Sequence, residues 1–147
     1  MDALKQFNKQ KIWIGLGALV VVLSGCAGMN TVTLGGNQEN PPVTTSASGT
    51  TDIKVAADKS VSGSITTTGV AGTAAHIHVG PQGKNGPVIV PLTKTGDNVW
   101  SVPAGAKLTD AQYADYMAGN LYVNVHSATN KGGEIRAQLK PAGSSGY

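Results

Sequence analysis

A single cysteine in 147 residues leaves no intrachain disulfide to form, so the fold has to be held by its own packing. Aromatic residues make up only 5% of the chain and charged residues 13%, and the charges fall singly. That composition lacks the basic stripe and interleaved stacking rings of nucleic-acid-binding proteins, and no nucleic-acid partner is expected. The one sustained apolar run, residues 12–23, is too short to cross a bilayer comfortably. No serine–histidine–acid set can be placed, and the loop at 81–87 lacks the lysine–serine and helix-start context of a phosphate loop. No catalytic residue is therefore assigned.

What is there begins at the N-terminus. Lys5, Lys9 and Lys11 precede the apolar run, which ends in Leu23-Ser24-Gly25-Cys26. Together these resemble a secretory signal peptide closed by the lipobox of bacterial lipoproteins. The resemblance implies a signal peptide over residues 1–25 and a lipidated Cys26 as the first mature residue. Its acyl chains would hold the protein on a membrane without a spanning helix. Ala27, not aspartate, follows the cysteine; in the Gram-negative sorting pattern this implies the outer membrane, so the expected location is the cell envelope, extracytoplasmic. Loss of residues 1–25 lowers the formal net charge from +3 to +1, so the basic balance belongs largely to the leader.

Residues 26–40 read as a tether with a first short strand from about 31. Glu39-Asn40-Pro41-Pro42 then disfavours helix and gives an extended turn. A β domain is expected over 41–140 and a flexible tail over 141–147. Threonine- and valine-rich runs at 46–56 and 60–70, joined at Ala57-Asp58-Lys59, have a hairpin pattern. Further strands are expected at 74–79, 88–92, 98–102, 121–127 and 134–140, the last two alternating cleanly. Leu121, Val123, Val125, Ile135, Ala137 and Leu139 face inward, and Tyr122, Asn124, His126, Glu134, Arg136, Gln138 and Lys140 face outward. One helix is predicted over 110–117, from the capping-box spacing of Thr109 and Gln112 and the stop at Gly119. Tyr113, Tyr116 and Met117 are its expected buried or half-buried face, with Met117 read as a core residue in preference to a soft copper ligand. Six to eight strands, one short helix and no βαβ pattern predict an all-β chain, an antiparallel sandwich or barrel.

The chemistry of this sequence rests on its three histidines. His76 and His78 stand two apart in the alternating run Ala74-Ala75-His76-Ile77-His78-Val79, which puts both rings on one strand face. His126 lies on the polar face of its own strand by the same alternation. If the strands are neighbours, three imidazoles converge, a donor set suited to copper or zinc that leaves a position open for water or substrate. Tyr122, Asn124, Glu134 and Arg136 share the outward parity and are candidates to orient the rings. Against this stands the plainer reading, in which the histidines bond to polar neighbours and pin loops over the sheet. Glu134 and Arg136 are more simply read as an ion pair than as an acid–base pair.

Four motifs occurring in order, Glu39-Asn40-Pro41-Pro42, Ala74 to Gly80 with Gly83-Lys84-Asn85-Gly86-Pro87-Val88, Tyr122-Val123-Asn124-Val125-His126-Ser127 and Gly133-Glu134-Ile135-Arg136-Ala137-Gln138-Leu139, closely resemble the CHRD domain. The likeness covers about residues 31–139. It implies a compact β-rich extracellular module, and Ala137 departs from the glycine common at that place. Two functions follow as expectations: a lipid-anchored module binding copper or zinc through His76, His78 and His126, or a structural or adhesive module with an envelope or extracellular protein partner and no metal. A metal-dependent redox enzyme stands third.

Overall fold

The computed structural model describes residues 31–141. The expected signal peptide, the lipidated Cys26, residues 27–30 of the tether and nearly all of the tail lie outside the described residues.

Alternation of apolar and polar residues in the second half of the chain generates the centre of the sheet. Strands β1 (Val32–Gly35), β2 (Ser48–Thr51), β5 (Ser64–Thr68), β6 (Gly72–Val79), β7 (Val88–Pro91), β8 (Thr93–Gly96), β9 (Val99–Ser101), β10 (Leu121–Ser127) and β11 (Ile135–Gln138) form one antiparallel sheet in the order β7-β6-β10-β11-β1-β2-β5-β9-β8. Two further strands, β3 (Lys54–Val55) and β4 (Val61–Ser62), pair with each other. The sheet curls into a nearly closed antiparallel barrel. Strands β7 and β8 are halves of one extended stretch broken only at Leu92, where the backbone N–H donates to Ala75. The first half pairs with β6 and the second with β9, so a single segment spans the two ends of the sheet.

The inward-facing residues expected of β10 and β11 line the interior. Leu34, Ile65, Ile77, Leu121, Val123, Val125, Ile135 and Leu139 are all buried in one core. Each such aliphatic side chain contributes about 1.5–3 kcal/mol on burial. The barrel thus resolves the choice between sandwich and barrel.

The hairpin expected from 46–56 and 60–70 forms, but with a jog. Gly63 has φ +115°, and Asp52 Oδ1 accepts the Ser64 N–H at 2.7 Å, so the ladder passes from the β2–β5 pair to the separate β3–β4 pair. Positive φ at this place suits glycine.

Helix α1 (Asp110–Met117) has the boundaries the sequence predicts. Thr109 Oγ1 accepts the Gln112 N–H at 3.2 Å while the Gln112 side chain accepts the Thr109 N–H at 2.9 Å, and Gly119 takes up φ +76° after the last turn. Tyr116 is buried and its hydroxyl donates to the Lys140 carbonyl. Met117 is a correction: it is 55% exposed and belongs to neither the core nor the histidines. One turn of helix places Tyr113 and Tyr116 against the barrel and leaves the next residue facing water.

Candidate metal centre

Strand register assembles the site. In the β6–β10 pair His78 lies opposite Tyr122, His76 opposite Asn124 and His126 opposite Ala74. Ala75, Ile77, Val123 and Val125 occupy the core face of these strands, so all three imidazoles stand on the outer face. Their ring centroids are 4.8 Å (His76–His126), 5.6 Å (His76–His78) and 6.3 Å (His78–His126) apart. One nitrogen from each ring lies within 4.8 Å of the other two. Nitrogens sharing one tetrahedral ion, with bonds of about 2.0–2.1 Å, stand roughly 3.3 Å apart. The cluster lies close to that spacing. It can hold a metal ion.

Hydrogen bonds fix which nitrogens face the centre. His78 Nδ1 lies 2.9 Å from the Gly86 carbonyl and His126 Nδ1 lies 2.9 Å from the Lys131 carbonyl. A carbonyl only accepts, so both Nδ1 atoms carry the proton and both Nε2 atoms present a lone pair. His126 Nε2 spends its lone pair on His76 Nδ1 at 2.9 Å. His78 Nε2 is buried with no hydrogen-bond partner. Burial pushes the His76 ring below the ordinary histidine pKa, helped by the proximity of His126 and His78. Burial does the same for His78, partly offset by the Gly86 carbonyl. Both rings therefore stay neutral, the form that binds metals, to a lower pH than free histidine.

The polar residues around the rings are more enclosed than alternation alone implies. Tyr122 is sandwiched: its ring stacks on His78 at 4.7 Å with an interplanar angle of 6°, and the Arg136 guanidinium carbon lies 3.4 Å from its centroid on the other side. Arg136 is only 1% exposed. It donates to the carbonyls of Lys84 at 2.9 Å and Pro81 at 3.3 Å and to Asn85 Oδ1 at 3.3 Å. The same loop places the Gly86 N–H on the Tyr122 hydroxyl at 3.1 Å. A Cβ on Gly86 would collide with the Val79 carbonyl, which is why the loop can turn back so tightly onto β6. Arg136 and Tyr122 thus hold the loop whose carbonyl holds His78.

Of the four residues expected around the site, Tyr122, Asn124 and Arg136 are gathered beside His78, and Glu134 is not. Its carboxylate accepts from Thr45 Oγ1 at 2.7 Å, and its pKa is held low by bonding to Ser127 and then Thr45. The expected Glu134–Arg136 ion pair is corrected accordingly: Arg136 is bound by loop carbonyls, and the carboxylate that acts on it is Glu39.

Glu39 carries chemistry that the sequence reading assigned only to a backbone turn. It is 6% exposed, and desolvation pushes its pKa up to about 7 against the pull of Arg136. The Asn124 side chain interacts with both Glu39 and His78. Yet Glu39 Oε1, Asn124 Oδ1 and His78 Nε2 are all buried without a completed hydrogen bond. Gly133, at φ +133°, makes room for them, since a Cβ there would collide with both Glu39 Oε1 and Asn124 Nδ2. Its nearness to Glu134 in the sequence gave no hint of this role.

No curated protein and no solved structure matches the chain. The CHRD domain family matches over residues 30–139, a span that takes in every strand of the barrel and all three histidines, and the chain belongs to that family.

Proposed function

We propose that this protein is a lipid-anchored, extracytoplasmic metal-binding module that takes copper, or zinc, through His76, His78 and His126. The observation that carries the reading is His78 Nε2, a buried lone pair with no protein partner in a cluster of three imidazoles. Buried polar atoms are nearly always satisfied, and a bound cation satisfies this one. Three protein ligands would leave a further position for water or an exogenous ligand. Redox catalysis there is a separate matter for assay.

A second reading, a protein-interaction module of the envelope, is favoured by the bonds from His78 and His126 to the Gly86 and Lys131 carbonyls, which pin two loops. Those bonds use only Nδ1 and leave His78 Nε2 without a partner.

Titration of the chain lacking residues 1–26 with Cu²⁺ and Zn²⁺ distinguishes the two. One ion per chain is expected. His78→Ala and the His76→Ala/His78→Ala pair should weaken binding more than tenfold, and affinity should fall as acidification protonates His76 and His78, at a pH below the ordinary histidine range. Equal binding by wild type and both variants would remove the site.

The anchor rests on Leu23-Ser24-Gly25-Cys26. Labelled palmitate should enter the wild-type protein in bacterial cells and not the Cys26→Ala variant. Equal labelling of the two would refute lipidation at Cys26.

A further inference from the structure

We infer that Glu39 is the charge-compensating group of the histidine site, giving up its proton to solvent when a divalent cation binds and supplying the negative charge that three neutral imidazoles lack. This rests on the metal-binding reading of the histidines and adds a regulator to it.

Three observations lead here. The first is charge. Three neutral rings provide none, and the Arg136 guanidinium acts on both His78 and Glu39, so a divalent cation would enter a region already positive. Among the described residues, Glu39 is the carboxylate interacting with that guanidinium, and Arg136 is the only charged group acting on Glu39. The second is placement. Asn124 lies between Glu39 and His78, and each of these three residues has one buried, unpartnered polar atom. These three atoms form a buried polar network that is only partly satisfied, and in a low-dielectric interior such a network is costly. The third is a path for the proton. Glu39 borders a cavity of about 340 Å³ lined also by Gln38, Asn40, Gln82, Arg136 and Gln138, with the histidines not among its lining residues. Glu39 therefore has the histidine network on one side and space for water on the other.

The step balances simply. A neutral Glu39 carboxyl and a free cation become a carboxylate and a site-bound cation, and the proton leaves with water in the cavity. No electron moves. Occupancy then depends on pH through Glu39 as well as through the ligands: protonation of Glu39 removes the compensating charge and favours release of the ion.

The test is calorimetric titration of the full chain in detergent micelles with Zn²⁺, a redox-inert probe, in two buffers of different ionisation heat between pH 6 and 8. Wild type, Glu39→Gln and His78→Ala are compared. Wild type should release about half a proton at pH 7 from Glu39, whose pKa lies near that value, and fewer as pH rises. Glu39→Gln should lose that release and bind zinc roughly 10–100-fold more weakly, as for the loss of groups that support a metal site. His78→Ala should bind far more weakly than either. Glu39→Gln with wild-type affinity and proton count overturns the role of Glu39 while leaving the metal site intact. A wild type that binds no zinc and no copper overturns both. Should Glu39→Gln fail to fold, the wild-type proton count between pH 7 and 8, above the range of His76 and His78, decides: release that does not fall over that interval sinks the inference.

Discussion

Replacement of Arg136 by leucine is expected to lower the melting temperature by about 15 °C. The guanidinium is almost completely buried, and it donates to two loop carbonyls, to Asn85 and, at 3.4 Å, to Gln138 Oε1. Hydrogen bonds to a charged group contribute roughly 1.5–3 kcal/mol each, and breaking a buried charged network typically costs about 3–5 kcal/mol in all. Leucine covers part of the Tyr122 face but binds no carbonyl, and it leaves Glu39 without its cation. A net loss of about 4 kcal/mol, at roughly 4 °C per kcal/mol for a domain of this size, gives the expected shift. Lysine should recover little of it, because an ammonium cannot lie flat on Tyr122 while reaching Pro81 and Lys84 at once. Thermal melts followed by circular dichroism read the effect. A shift under about 4 °C for the leucine variant would mean that the loop at 80–87 is held by other contacts.

The second large effect is in the pH dependence of stability without metal, where two groups oppose each other. Glu39 has a folded pKa of about 7 against an ordinary value of 4.5, so between those limits the folded state keeps a proton that the unfolded chain has released. Its contribution is fully present below about pH 4.5 and is lost as the pH rises through 7, a loss of up to about 3 kcal/mol at 1.36 kcal/mol per unit. His76 and His78 run the other way. Their folded values lie below 6.5, so as the pH falls through 6.5 the unfolded chain gains protons first and the folded state loses stability. Urea denaturation from pH 4.5 to 8 should therefore give a shallow wild-type profile. Glu39→Gln removes one slope, and its stability should climb with pH over that interval. A Glu39→Gln profile that superimposes on the wild type would show that Glu39 ionises in the folded protein as it does in water.

The sheet was legible in the sequence wherever one face meets the core and the other does not. Leu121, Val123 and Val125 alternate with Tyr122, Asn124 and His126, and that parity, once β10 pairs with β6, places His126 on the face of His76 and His78. Strand β8 was not legible, because Thr93, Lys94, Thr95 and Gly96 are all exposed and carry no alternation. Parity also says which way a side chain points and nothing about what lies over it. Arg136 and Tyr122 point away from the core as expected, yet are buried because the loop at 80–87 folds back across them. Glu39 was hidden for a related reason. A lone carboxylate before two prolines reads as backbone, and its chemistry arises only from long-range placement beside β10 and β11.

The stretch that forms both β7 and β8 limits how any protein partner can engage this domain. Because the same segment supplies both end strands, each remaining edge is only four residues long, and the β8 edge is wholly exposed threonine, lysine and glycine. Short polar edges resist the addition of a foreign strand, so neither fibrillar stacking of neighbouring copies nor capture of an extended peptide by sheet extension is favoured. Recognition by a protein partner would have to come through side chains on the loops and the outer face, the side of the sheet that carries the histidines.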